Sequence, residues 1–174
     1  MSYAFANVGQ RENQESLEYV SGADAAYIDV NDARAIFDEV IEALSLTGED
    51  TSNIVFDEGF GYSERGRTKS TTDFQRFKGA RSQVPGSYNP RTGVVTIYRN
   101  AFSTTIGNIQ TSPGELGWQS FFAEAGFQSG LFITGHELGH RIHNHNYTRR
   151  HYDFEANRYG RSVYRRVFQG DPRC

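Results

Sequence analysis

The chain reads as an α+β domain, and three features of its sequence predict that class. A helical apolar stripe runs through residues 29–46, a turn-and-strand pattern occupies 87–98, and the other helical patterns gather in the last third. Mixed order of this kind lacks the regular strand–helix alternation of a parallel sheet, so helices are expected to pack on a small sheet. At 174 residues the chain is long enough for one core and short for two. Residues 1–174 are therefore expected to form a single domain.

Residues 1–28 are mixed and polar and are expected to be peripheral. From Asp29 or Asn31, either a suitable N-cap, the segment NDARAIFDEVIEALSL places Ala33, Ile36, Phe37, Val40, Ile41 and Leu44 three and four residues apart. That spacing is one face of a helix. NIVFDE (53–58) predicts a short strand. Residues 59–83 are polar and Gly-rich and predict a long loop or flap. In 87–98, Asn89-Pro90-Arg91-Thr92-Gly93 supplies a turn and VVTIY a β-branched strand, together a hairpin. After a loop around Pro113-Gly114, ELGWQSFFAEAGF and then GLFITGHELGHRIHNH predict two helices meeting near Gly130. Tyr147 to Arg150 forms a basic connection, and YDFEANRYGRSVYRRVF (152–168) predicts the last helix.

A net charge of -3 favours neither nucleic acid nor membrane as the main partner. The charge is uneven, -7 over residues 1–130 and +4 over 131–174, and the arginine-rich end reads as a solvated helix face. The single cysteine, Cys174, allows no internal disulfide. No Sec-type signal is visible near Met1, and the apolar runs are far shorter than a membrane span. The expectation is a soluble protein, cytoplasmic or delivered by a non-Sec route.

Every histidine lies within 136-HELGHRIHNHNYTRRHYDFEANRYG-160. His136-Glu137-Leu138-Gly139-His140 is an HExxH motif, and on a helix two residues four apart share a face, so both imidazoles can reach one cation. Glu137 points about 100° away, beside a water rather than on the metal. Two nitrogen ligands with an adjacent base are what a Zn²⁺ hydrolase requires, with Glu137 as the catalytic base. Arg141 is the one departure, a charge where an uncharged residue is usual. The metal-binding helices are expected within 128–168.

The third ligand must come from elsewhere. His143 takes the place of a helix-breaking glycine, and Asn146 takes that of a third histidine, so the HExxHxxGxxH pattern is absent. His143 reads as a flanking residue, and His145 and His151 as loop residues. On a wheel with Glu155 at 0°, Arg158, Arg161, Arg165 and Arg166 fall between roughly 240° and 20°. Glu155 belongs to that solvated arc. Asp153 falls near 160°, with Ala156, Gly160, Val163, Tyr164 and Val167 on the buried stripe. A buried carboxylate needs a partner. Asp153 is thus the expected third ligand, with Glu155 the alternative and N-capping a second role for Asp153. Asn157, one turn on, is placed to hydrogen-bond a ligand.

HELGH followed by DFEANRYG resembles the zincin metallopeptidases, above all the branch with an HExxH helix and a later ExxAN/D-type helix, as in ImmA/IrrE-type peptidases. The resemblance implies a zincin-like fold and assigns the third zinc ligand to Asp153, where the family normally has Glu. It also implies that the strand at 94–98 is the edge strand that aligns a protein or peptide substrate. The compact HExxH domain is similar to metallopeptidase domains of bacterial effectors and toxins, which implies an inhibitor or immunity protein as a further partner. The function expected is a zinc-dependent metalloendopeptidase, with Tyr159, Tyr152, Tyr147 or His143 as the stabiliser of the oxyanion. The alternatives are a non-enzymatic zincin-fold regulator or binding module, and a non-peptidase zinc hydrolase such as an amidase.

Overall fold

A computed structural model describes residues 26–103, 118–145 and 150–169. In chain order the elements are α1 (Val30–Leu46), β1 (Ile54–Asp57), β2 (Phe60–Glu64), β3 (Arg67–Thr71), α2 (Phe74–Lys78), β4 (Ser82–Gln83), β5 (Gly86–Asn89) and β6 (Val94–Tyr98). A 3₁₀ turn (Arg99–Phe102), α3 (Trp118–Ile142) and α4 (Arg150–Gln169) complete the described chain. The fold is mixed α+β, with two small three-stranded sheets. Among the described residues no helix is long and apolar enough to cross a membrane.

Asp29 caps α1 as its spacing suggests, its carboxylate accepting from the backbone N–H groups of Asn31 and Asp32. Such a cap stabilises a helix by about 1 kcal/mol. Ala33, Phe37, Val40 and Leu44 form the buried stripe. They join Val95, Ile97, Phe102, Leu131, Phe132, Ile133 and Val163 in the main core. Burying each of the larger side chains contributes about 1.5–3 kcal/mol.

In the first sheet the order is β1-β6-β5, with β6 parallel to β1 and antiparallel to β5. VVTIY is therefore the central strand, which corrects the expectation of an edge. The physical reason is β1, whose parallel pairing with β6 runs from Ile54 opposite Val95 to Asp57 opposite Tyr98. Among the described residues the edge on that side is instead β5. Its register sets Gly86 opposite Ile97, and the Pro85 carbonyl accepts from Tyr98 N–H. Antiparallel alternation then turns the backbone amide and carbonyl of Gly86 and of Tyr88 away from β6.

Residues 59–83 are not a loop. They build the second sheet, order β3-β2-β4, together with α2. The alternation was hidden because β3 is polar and mostly exposed, while only Phe60 and Tyr62 of β2 are apolar and buried, against Phe77. Arg65 and Gly66, at φ 53° and 75°, make the tight two-residue turn whose positive dihedrals match the strand twist. Arg99 joins the sheets: its guanidinium lies 4.3 Å from the Phe60 ring centroid and its Nε donates to the Glu58 carbonyl.

The two helices expected around Gly130 are one helix of 25 residues. The glycines serve close packing rather than interruption. A Cβ at Gly130 would approach the Phe102 ring to 2.2 Å, and one at Gly126 would approach the Phe102 carbonyl to 2.8 Å. Farther along, α3 lies directly on α4. A Cβ on Gly139 would come within 2.8 Å of Ala156 Cα, and one on Gly135 within 3.0 Å of Gly160 Cα. The pairing 139 with 156 and 135 with 160 makes the helices antiparallel.

This contact has a measurable consequence. Gly139→Ala should gain helix propensity yet destabilise the fold by about 1–3 kcal/mol, because the added methyl meets backbone that cannot turn aside. Gly160→Ala should cost less, its nearest neighbour being His136 N at 3.2 Å. Urea unfolding midpoints check the order; a Gly139→Ala protein as stable as the parent contradicts the packing described.

Candidate metal centre

The HExxH segment lies in the last two turns of α3, where His136 and Glu137 are buried, at 5% and 6% exposure. Thr134, two residues before His136, is fully buried and spends its hydroxyl on the Gly130 carbonyl within the helix. The two imidazoles converge: His136 Nε2 and His140 Nε2 are 3.0 Å apart. Asp153, in the first turn of α4, brings Oδ1 to 3.5 Å from His136 Nε2 and 3.4 Å from His140 Nε2. Glu137 belongs to the same cluster, its ligand atom within 4.8 Å of those of both histidines. Its carboxylate lies beside β5, where a Cβ on Gly86 would be 3.3 Å from Glu137 Oε2.

Hydrogen-bond parity tells which nitrogens of the centre present lone pairs. The Asn157 Oδ1 carbonyl, 2.8 Å from His136 Nδ1, can only accept, so Nδ1 carries the proton and Nε2 presents a lone pair. On His140, Nδ1 is held by His145 Nδ1 at 2.8 Å, and His145 Nε2 by the Glu155 carboxylate at 2.8 Å. The carboxylate accepts, His145 Nε2 donates, and His145 Nδ1 accepts from His140 Nδ1. His140 Nε2 is thereby left as a second lone pair. Two nitrogen lone pairs and a carboxylate oxygen face one point, an arrangement that needs a positive charge among them, a proton or a metal ion.

The ionisation tendencies show the same demand for positive charge. Burial opposes charge on His136, but Asp153, Glu137 and Asn157 around it raise its pKa overall, favouring a proton at Nε2 that Asp153 would accept. Burial would raise Asp153, yet its bonds to His136 and His140 hold the carboxyl well below the usual range. Asp153 is therefore ionised. His145 is pushed down by burial and by the neighbouring His140 and His143 rings despite its bond to Glu155.

Several sequence expectations need correction. His145 does lie in the connection after α3, but it is buried there, 6% exposed, and bonded to His140. Glu155 does not simply face water among the arginines; it is partly buried and bonded to His145. Glu155 Oε1 bonds His145 Nε2, whereas Asp153 Oδ1 lies 3.5 and 3.4 Å from the Nε2 atoms of His136 and His140. His151 has its backbone in the first turn of α4, not in a loop. His143 is exposed in the turn after α3, its ring parallel to that of His145 at 5.5 Å. Tyr152 stacks on His145 at 3.9 Å. Tyr159 is turned away, donating to Glu49, which Arg166 also grips. It is no oxyanion donor in this arrangement. Tyr147 lies outside the described residues. Arg141, the odd charge in the motif, points outward and donates to the Ser52 and Asp50 carbonyls, tying α3 to the turn before β1.

The signal that could have found His145 is Asn144, whose φ of 54° ends the helix in the left-handed conformation. No protein-family model, curated protein or solved structure matches the chain.

Tyr159 gives a test of the surroundings. Burial first, and then the bond to Glu49, raises its pKa from 10 to about 12. Because the folded value exceeds the unfolded one, the hydroxyl's contribution to stability is complete below pH 10 and lost as pH rises from 10 to about 12. Ultraviolet titration of the parent minus Tyr159→Phe should show a phenolate appearing only near pH 12. A difference step near pH 10 would contradict the Glu49 bond.

Proposed function

We propose that the chain is a zinc-dependent endopeptidase of the zincin kind, with His136, His140 and Asp153 as ligands and Glu137 as general base. The observation that carries this reading is the triangle of donor atoms, with sides of 3.0, 3.4 and 3.5 Å. Tetrahedral Zn²⁺ with nitrogen and oxygen ligands at about 2.0–2.1 Å requires donors about 3.3 Å apart. Three lone pairs already spaced for that ion fit zinc better than they fit a shared proton.

When bound, zinc supplies a Lewis acid that polarises the scissile carbonyl and acidifies a water. The remaining work falls to the chain. Glu137, next in sequence to a ligand but directed towards β5, is placed to take the proton of the attacking water and deliver it to the leaving amine. Its burial keeps that carboxylate out of bulk solvent. The amide and carbonyl of partly exposed Tyr88, turned away from β6, offer an extended peptide a pairing position on the strand beside Glu137, by β-augmentation. This moves the substrate-aligning role from VVTIY to β5. Gly86 has a specific part: any side chain there would press on Glu137 Cγ, 3.1 Å from the added Cβ, and on Ile133. A buried carboxylate base set beside a strand that can pair with a peptide favours a peptidase over a binding module.

The purified chain should carry about one zinc per molecule by elemental analysis, and Asp153→Ala should lose it while Glu137→Gln keeps it. Cleavage of a mixed peptide library should fall about 10²–10⁴-fold in Glu137→Gln. Undiminished cleavage by that variant would exclude the mechanism. Gly86→Ala should also retain zinc but lose activity through displacement of Glu137; full activity there would place the substrate elsewhere.

A further inference from the structure

Resting on the zinc reading, we propose that His145 and Glu155 are positioning residues for the ligand His140, delivered to it by the cap that ends α3. The cap is a complete Schellman motif. His145 N–H donates to the His140 carbonyl at 3.0 Å and Asn144 N–H to the Arg141 carbonyl at 3.1 Å. Asn144 between them holds the left-handed φ of 54°. In that motif the residue two past the helix end normally makes an apolar contact with the residue five positions before it. Here both positions are histidines, and the contact is the Nδ1···Nδ1 hydrogen bond of 2.8 Å. The helix end and the ligand orientation are thus one device. Continuing α3 by one more turn would carry His145 away from His140.

The ring is held on every side that matters. It is 6% exposed, Tyr152 lies flat against it with 8° between the planes, and Glu155 fixes Nε2. The chain Glu155–His145–His140 passes a carboxylate's negative charge through two imidazoles to the lone pair that meets the metal. A carboxylate or carbonyl on the remote nitrogen of a ligand histidine orients the ring and makes it a stronger donor. The other ligand histidine, His136, has only the neutral Asn157 amide in that place. Asp153 and Glu155, two residues apart, project about 200° apart around α4. One turn of α4 therefore serves the site twice, once directly and once through His145.

Zinc affinity, measured by competition with a chromophoric chelator, and the visible spectrum of the Co²⁺-substituted full chain test the proposal. Glu155→Gln, which preserves shape, and His145→Asn, which keeps an acceptor at the δ position but loses Glu155, should each weaken zinc binding about 10-fold and shift the Co²⁺ bands. His145→Ala should weaken it further, towards 100-fold, so that His145→Asn counts as a partial rescue. Asn144→Gly should bind as the parent does, whereas Asn144→Val, which resists the left-handed conformation, should resemble His145→Ala. If the parent binds zinc and Glu155→Gln and His145→Asn match it in affinity and Co²⁺ spectrum, the positioning role is wrong while the metal reading stands. A parent that binds neither zinc nor cobalt overturns both.

Discussion

Gly135 and Gly139 of α3 meet Gly160 and Ala156 of α4 with no layer of side chains between them, and the position of every group at the centre follows from that contact. Asp is one methylene shorter than the Glu that the zincin resemblance leads one to expect. It reaches the histidine nitrogens because the helix that bears it lies backbone to backbone on the helix that bears them. The same contact places Asn157 against His136, and it lets Glu155 meet His145 just beyond the end of α3. Glycines in a helix interior cost intrinsic helix propensity. Here they are exchanged for a fixed separation between donors on two helices.

Around that contact, polar ties hold the register without entering the centre. Glu49 accepts from Tyr159 and pairs with Arg166, joining the end of α1 to α4. Arg141 binds the carbonyls before β1 and so anchors the last turn of α3 to the first sheet. Three of the residues that looked like solvated charges or oxyanion donors in the sequence, Arg141, Arg166 and Tyr159, thus serve to align the helices. Glu137 of the same cluster lies against β5, where Gly86 leaves its carboxylate room.

What could be read from the sequence depended on how strongly a segment's apolar pattern repeats. The stripe of α1, the β1 strand, the 87–98 hairpin and the buried face of α4 were legible because burial of a single face leaves a clear period. The second sheet was not, since β3 is polar and largely exposed, and only Phe60 and Tyr62 mark the inner face of β2. The continuity of α3 was obscured by glycines that look like breaks and are packing sites against Phe102. At the centre, helical phase selected Asp153 over Glu155, and the structure brings Asp153 beside both histidines. The part played by Glu155 and His145 depends on a chain reversal at Asn144, which no periodicity encodes. Strand order was equally out of reach, because the partner that places β6 in the middle pairs with it at a separation of 41 residues, Ile54 with Val95.

Diffraction from crystals of the chain on either side of the zinc absorption edge addresses the central assignment most directly. The expected result is one anomalous peak about 2.0–2.1 Å from His136 Nε2, His140 Nε2 and an Asp153 carboxylate oxygen together. A peak bound by Glu155 or His143 in place of Asp153, or no peak between α3 and α4 in zinc-soaked crystals, would contradict it.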